Sequence, residues 1–225
     1  MEGNFWALLP VSGLELFVKG VLIGIAASIP MGPVGILCVQ RTLQKGRAYG
    51  LMTGMGATLS DLFYALITGL GMSFAMDFIE DERNLFVLQL LGSALLLAFG
   101  LYMFKTKMRR KLSYVNRHRG TLIHNGLTGF LITLSNPGII FLFMALFARF
   151  AFMVPEHEWE QSLGFLGIMV GAMAWWYILT YAVDRLREIV SDRTIHIFNK
   201  TVGVIVIIVA IVGAIITLFH LKVTP

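Results

Sequence analysis

Cysteine is almost missing from this chain: Cys38 stands alone among 225 residues. That excludes an internal disulfide framework, a paired-thiol redox site and a two-cysteine thiol carrier. Charge is scarce too. Asp, Glu, Lys and Arg make up 14% of the residues, where a soluble domain carries about a quarter. The first 19 residues lack a basic leader and contain Glu2, Pro10 and Glu15, so no cleavable signal peptide is expected there. What is abundant is apolar: 57% of the residues are hydrophobic and the mean hydropathy is +0.78. So much apolar surface has a place only in lipid. The net charge of +5 is spread unevenly. It reads as a topology signal and not as a footprint for nucleic acid.

A helical span needs about 20 apolar residues to cross a hydrocarbon core ~30 Å thick. Charges delimit six such runs: Lys19 to Arg41, Arg47 to Asp77, Arg83 to Lys105, Arg119 to Arg149, Glu160 to Asp184, and Lys200 to Lys222. The predicted fold class is therefore an all-α integral membrane protein with six transmembrane helices, a single membrane domain over residues 1–225. Most of the 18 Lys and Arg residues follow the first, third and fifth runs, whereas Asp77, Glu80, Asp81, Glu82, Glu156, Glu158 and Glu160 follow the second and fourth. Basic loops stay in the cytoplasm, so both termini are expected outside it. The basic loop also suits contact with anionic lipid or a partner.

Two runs are interrupted. The first contains Ser28-Ile-Pro30-Met-Gly32-Pro33 and the fourth contains Asn136-Pro137. Each opens a three-span half: residues 14–104 form one, residues 122–221 the other, and the basic loop 105–121 joins them. An odd number of spans per half inserts the second half upside down, the inverted repeat of many secondary transporters. From Pro30 to Arg41 a helix rises about 16 Å, and from Pro137 to Arg149 about 18 Å, so both breaks are expected near the bilayer midplane.

Proline removes a donor and clashes with the carbonyl four residues earlier. The carbonyls of Ala26, Ile29 and Thr133 are thus expected to lose their helical partners. Gly32-Pro33 and Asn136-Pro137 fit helix starts. The N–H groups of Val34, Gly35, Ile36, Gly138, Ile139 and Ile140 are then expected to be unpaired. Such backbone at membrane depth is tolerated only inside protein or beside a wet cavity, and helix N-termini attract anions. The candidate substrate-binding residues are Pro30, Gly32, Pro33, Val34, Gly35, Asn136, Pro137 and Gly138, which would hold a carboxylate between facing half-helices. The plain alternative is a pair of ordinary proline kinks.

Asp61 is the only carboxylate inside a span. Such a residue costs ~2.5–3.5 kcal/mol on insertion scales and is functional by default. It is the candidate proton-coupling residue, able to take a proton, an ammonium group, or each in turn. The plain alternative is an acid held by Thr58, Ser60 or nearby backbone. The ladders Gly46, Gly50, Gly54 and Gly164, Gly167, Gly171 suit close helix packing, within the chain or in a homodimer. Trp175-Trp176-Tyr177 is either packing or an aromatic wall. His118 and His124 read as solvated or interfacial, Cys38 as a small core residue.

The run from Ser28 through Pro33, followed by CVQRTLQKGRAYGLMTGMGATLSD ending at Asp61, resembles the lysine-exporter (LysE) family of amino-acid translocators. GFLITLSNP, ending at Pro137, is similar to the family's second motif. Gly138 stands where a lysine is common, and Met31 where the first motif often has a second glycine pattern. The resemblance implies export of an amino acid or derivative across the bacterial inner membrane, driven by proton antiport. Its partners would be that small molecule, protons and the bilayer, with no cofactor and no enzymatic activity. A divalent-metal exporter of related fold is the alternative. It would need several His, Asp or Glu ligands.

Overall fold

The computed structural model describes residues 13–30, 32–74, 82–105, 120–136, 138–154, 157–186, 188 and 191–220, which form helices joined by short connections. The helices are α1 (Gly13–Ser28), α2 (Pro33–Lys45), α3 (Arg47–Phe74), α4 (Glu82–Lys105), α5 (Leu122–Leu134), α6 (Gly138–Phe150), α7 (Glu158–Arg185) and α8 (Asp192–His220). Met31, Pro137, His118, Asp77, Glu80, Asp81, Glu156, residues 106–119 and both termini lie outside the described residues.

By length and composition α3, α7 and α8 can each cross a membrane. The pairs α1–α2 and α5–α6 each make one broken span, bent by 79° and 74°, which brings the number among the described residues to as many as five. The remaining sequence-derived span coincides with α4, whose apolar centre is Gln89–Ala98. The breaks thus fall where the Pro–Gly and Asn–Pro chemistry places them. α2 ends at Gly46, whose φ of +106° suits glycine. The chain there reverses directly into α3.

Glycines set the closest approaches. A Cβ at Gly20 would overlap the carbonyl of Gly164, and one at Gly24 that of Ile168; from the other side, Gly167 and Gly171 meet Phe17 and Val21. Residue numbers rise together, so α1 and α7 run parallel. Gly56 meets Gly126 and Gly129 meets Thr53; Met52 lies beside Gly126 and Tyr64 reaches the Leu134 carbonyl, so the numbers rise together and α5 lies parallel along α3. Gly54 abuts Trp176 and Gly69 abuts Phe165, so α3 and α7 run antiparallel. α4 and α8 are also antiparallel, with Ser93 beside Gly213 and Gly100 beside Gly203. Between lipid-embedded helices apolar burial supplies little drive, and close backbone packing does the holding.

Two apolar clusters sit at opposite ends of α3. One gathers Leu16, Ile23, Tyr64, Ala65, Phe143, Phe147, Phe152 and Ile168, where α1 and α7 begin and α3 ends. Phe147 stacks on Phe152 at 4.7 Å between ring centroids, and Phe165 meets both edge-on. The other gathers Cys38, Val39, Ala57, Trp176, Leu179, Val183 and Ile195, where α3 begins and α7 ends.

The contacts show a further regularity. Exchanging α1 with α5, α2 with α6, α3 with α7 and α4 with α8 turns α1–α7 packing into α5–α3, α2–α7 into α6–α3, and α1–α6 into α5–α2. The pairs α3–α7 and α4–α8 map onto themselves. The packing of α2 on α3 and of α4 on α6 has no counterpart of similar extent.

Candidate functional site

On α3, Asp61 lies between Ala57 of one cluster and Tyr64 of the other. It is 6% exposed. The side chain of Ser28, last residue of α1, faces its carboxyl group, although the Ser28 hydroxyl completes no hydrogen bond of good geometry. The first break and the in-span carboxylate, separate features of the sequence, are thereby brought together. Neither of the two local hydroxyls, Thr58 and Ser60, holds Asp61. Thr58 donates to the Gly54 carbonyl at 3.0 Å, and the Ser60 hydroxyl is buried without a partner.

Thr133 Oγ1, near the end of α5, is likewise buried and unpartnered. Three hydroxyl-bearing residues, Ser28, Ser60 and Thr133, are therefore almost fully buried with unfilled hydrogen-bonding capacity. Leaving such a group unpaired costs ~1–3 kcal/mol, and structures retain orphans of this kind where a role requires them. Two flank the breaks and the third adjoins Asp61. Sequence reasoning missed Ser28 and Thr133 as site residues. The available signal was a hydroxyl placed just ahead of each break in an otherwise apolar run.

The breaks need two corrections at the backbone. Ile36 N–H is not free: it donates to the Gly32 carbonyl at 3.2 Å, because the carbonyl of a cap residue accepts the first helical bond. Ile139 N–H donates to the Asn136 carbonyl at 3.2 Å. The Thr133 carbonyl is not free either. Asn136 N–H takes it at 3.0 Å as the last turn tightens. Gly32 caps α2 with Pro33 at the first helical position, as the sequence predicts. Gly35 is buried, Pro30, Gly32, Val34 and Gly138 are half-buried, and Pro33 and Asn136 are exposed. Pro137 lies outside the described residues. Across the breaks, α1 packs on α6 and α2 on α5.

The Tyr64 hydroxyl donates to the Leu134 carbonyl, filling an acceptor that the end of α5 would leave open. Tyr64→Phe keeps the ring volume and removes this bond. It is expected to cost about 1–3 kcal/mol, the range for stranding a buried acceptor, read as a lower unfolding midpoint in detergent.

Other candidates resolve into packing. Gly50 meets Thr42 and Cys38, and Gly54 meets Trp176. Trp175 stacks on Phe198 at 6.1 Å, and Tyr177 lies exposed beneath the Arg47 guanidinium at 4.3 Å. Cys38 is fully buried and donates to the Gly50 carbonyl at 3.3 Å. His124 is exposed.

Arg41 was read from the sequence as the charge that ends the first span. The structure buries it to 9% exposure. Its Nη1 donates to Thr53 Oγ1 and to the Asn125 carbonyl, both at 2.8 Å.

The chain is 23% identical over 193 residues to a Bacillus subtilis (strain 168) protein called "Putative amino acid efflux protein YcgF", covering 85% of this chain and 91% of that one. It is 24% identical over 172 residues to the "Uncharacterized membrane protein YahN" of Escherichia coli (strain K12), covering 75% of each. No solved structure matches the chain. The family model for the LysE type translocator matches residues 25–216. Together with its apolar, membrane-embedded helices, this match makes the chain a member of the LysE translocator family.

Proposed function

We propose that this translocator exports an amino acid or amino-acid derivative from the bacterial cytoplasm by proton antiport across the inner membrane. The observation that carries the reading is Asp61 buried beside Ser28, at the first helix break; the hydroxyls of Ser60, next to it in sequence, and of Thr133, ahead of the second break, are buried without partners. A carboxylate there exchanges a proton for an ammonium group. The hydroxyls and the opening N–H groups of Val34, Gly35 and Gly138 receive a carboxylate, with the helix N-termini adding partial positive charge.

The reading treats the molecule as two inverted three-span halves whose exchange alternates access to the site. It is supported by the contacts that swap when the halves are exchanged, and by the parallel pair α1–α7 running opposite to the parallel pair α3–α5. With both termini outside, the second apolar cluster closes the cytoplasmic end and the first closes the outer end. Gly138 in place of a lysine leaves Asp61 without a midplane cation supplied from that position, which favours a substrate bearing its own amino group. A homodimer forms no part of this reading, because the ladder glycines Gly50, Gly54, Gly164, Gly167 and Gly171 are spent within one chain. Among the described residues no three of His, Cys, Asp and Glu form the metal-binding group that the divalent-metal alternative needs.

The test is mass spectrometry of the culture medium when the protein is overproduced, beside an Asp61→Asn control. One amino acid or derivative is expected to accumulate with the wild type alone. Identical media would refute the export reading.

A further inference from the structure

Arg41 sits in the third turn of α2 and touches neither break. One nitrogen binds two other helices: Nη1 donates to Thr53 Oγ1 of α3 and to the Asn125 carbonyl of α5, each at 2.8 Å. Both acceptors are themselves anchored. The Thr53 hydroxyl donates to the Tyr49 carbonyl at 2.8 Å. Asn125 is fully buried, and its amide nitrogen donates to the Gly120 and Thr121 carbonyls at 3.1 and 2.7 Å. A buried guanidinium thereby joins the second half of one broken span to the first half of the other. Among the described residues the core of the opposite seal holds no charged side chain: it is made of Phe143, Phe147, Phe152 and their apolar neighbours, with the neutral Tyr64 hydroxyl bonded to the Leu134 carbonyl.

We propose that Arg41 is the latch of the cytoplasmic gate, a positioning residue whose two charge-assisted bonds must break before the Asp61 site opens to the cytoplasm. Apolar faces separate gradually, whereas hydrogen bonds to a charge are short, directional and lost within a small displacement. Burying the guanidinium is costly unless it is bonded. The closed state therefore depends on both acceptors, and opening returns the charge to water. The two gates differ in kind: a buried charge bonded to two helices on one side, and a mainly aromatic seal with one neutral hydrogen bond on the other. The assignment of sides rests on the exporter reading; the latch itself does not.

The chain carries its own reporter. Cys38, its one cysteine, lies one turn from Arg41 in the same seal, fully buried. In proteoliposomes, N-ethylmaleimide is expected to label Cys38 slowly in the wild type. Thr53→Val keeps the side-chain shape and removes one acceptor. Labelling is expected to quicken about tenfold, the factor that one hydrogen bond to a charge is worth in an opening equilibrium. Arg41→Gln is expected to act in the same direction. In a Cys38→Ser background, a reporter at Ile23→Cys in the opposite seal must not label faster when Thr53→Val is added. Cys38 labelling at the wild-type rate in both variants overturns the latch. So does acceleration at both ends, or acceleration that tracks a lowered unfolding midpoint, since either means general loosening. No substrate is present, so this result and the test of export can fail independently.

Discussion

In proteoliposomes, Asp61→Asn is expected to abolish the response of substrate flux to an imposed pH difference. Asparagine has nearly the same shape, but it neither takes up nor releases a proton. Wild-type protein should move substrate against its gradient while protons flow down theirs. The variant should at most equilibrate it. If Asp61 also receives the substrate's ammonium group, exchange at equal pH should fall as well. Removing one member of a buried ion pair costs about 3–5 kcal/mol, so the loss would be roughly 100-fold or greater. Measuring driven flux and equilibrium exchange side by side separates the two roles. Coupling that survives in the variant would remove Asp61 from the mechanism. The geometry supports a large effect: the carboxylate is almost wholly buried, beside Ser28 at the first break.

The second large effect is structural. Gly20→Leu and Gly56→Leu should each prevent stable assembly. At both positions even a Cβ would overlap backbone of the facing helix, Gly164 for one and Gly126 for the other. Backbone cannot rotate away as a side chain can. Overpacking a core costs about 1–3 kcal/mol where neighbours adjust, and more where they do not. Gly32 is the matched control, because a Cβ there meets nothing within 4 Å. Gly32→Ala should express normally and give a monodisperse peak on size-exclusion chromatography, whereas both leucine variants should aggregate or vanish. Normal yields of Gly20→Leu would mean that α1 and α7 do not pack as described.

What could be read from the residues was local chemistry. Pro30, Gly32 and Pro33 break a helix wherever they fall, and Asp61 is conspicuous within an apolar run. What could not be read depended on which helices meet. Ser28 is an unremarkable serine until α3 carries Asp61 to it. Thr133 gains meaning only when its hydroxyl is found buried without a partner. Arg41 was misjudged for a physical reason: a charge flanking an apolar run normally marks the membrane boundary. Only the convergence of Thr53 and Asn125 lets this one turn inward. Gly50, Gly54 and Gly164–Gly171 were legible as packing, whereas a Cβ at Gly46 of the first ladder would meet nothing within 4 Å, and that residue serves the turn into α3 through its positive φ; the partner glycines Gly20, Gly24, Gly126 and Gly129 surfaced only with the fold. The expectation of free N–H groups overreached by one residue at each break, because the cap carbonyl already holds the helix's first bond.

The pairing of α1 with α7 bears on how the protein is made. A first helix whose grooves fit a distant one has no permanent neighbour while the intervening chain is still being translated. At ~5–20 residues per second, that wait lasts on the order of ten seconds. During it, the glycine-lined faces of α1 and α3 lie open to lipid or to any other nascent helix nearby. Assembly is then a late, concerted event once Glu158–Arg185 has entered the bilayer, and neither half can reach its final packing without the other.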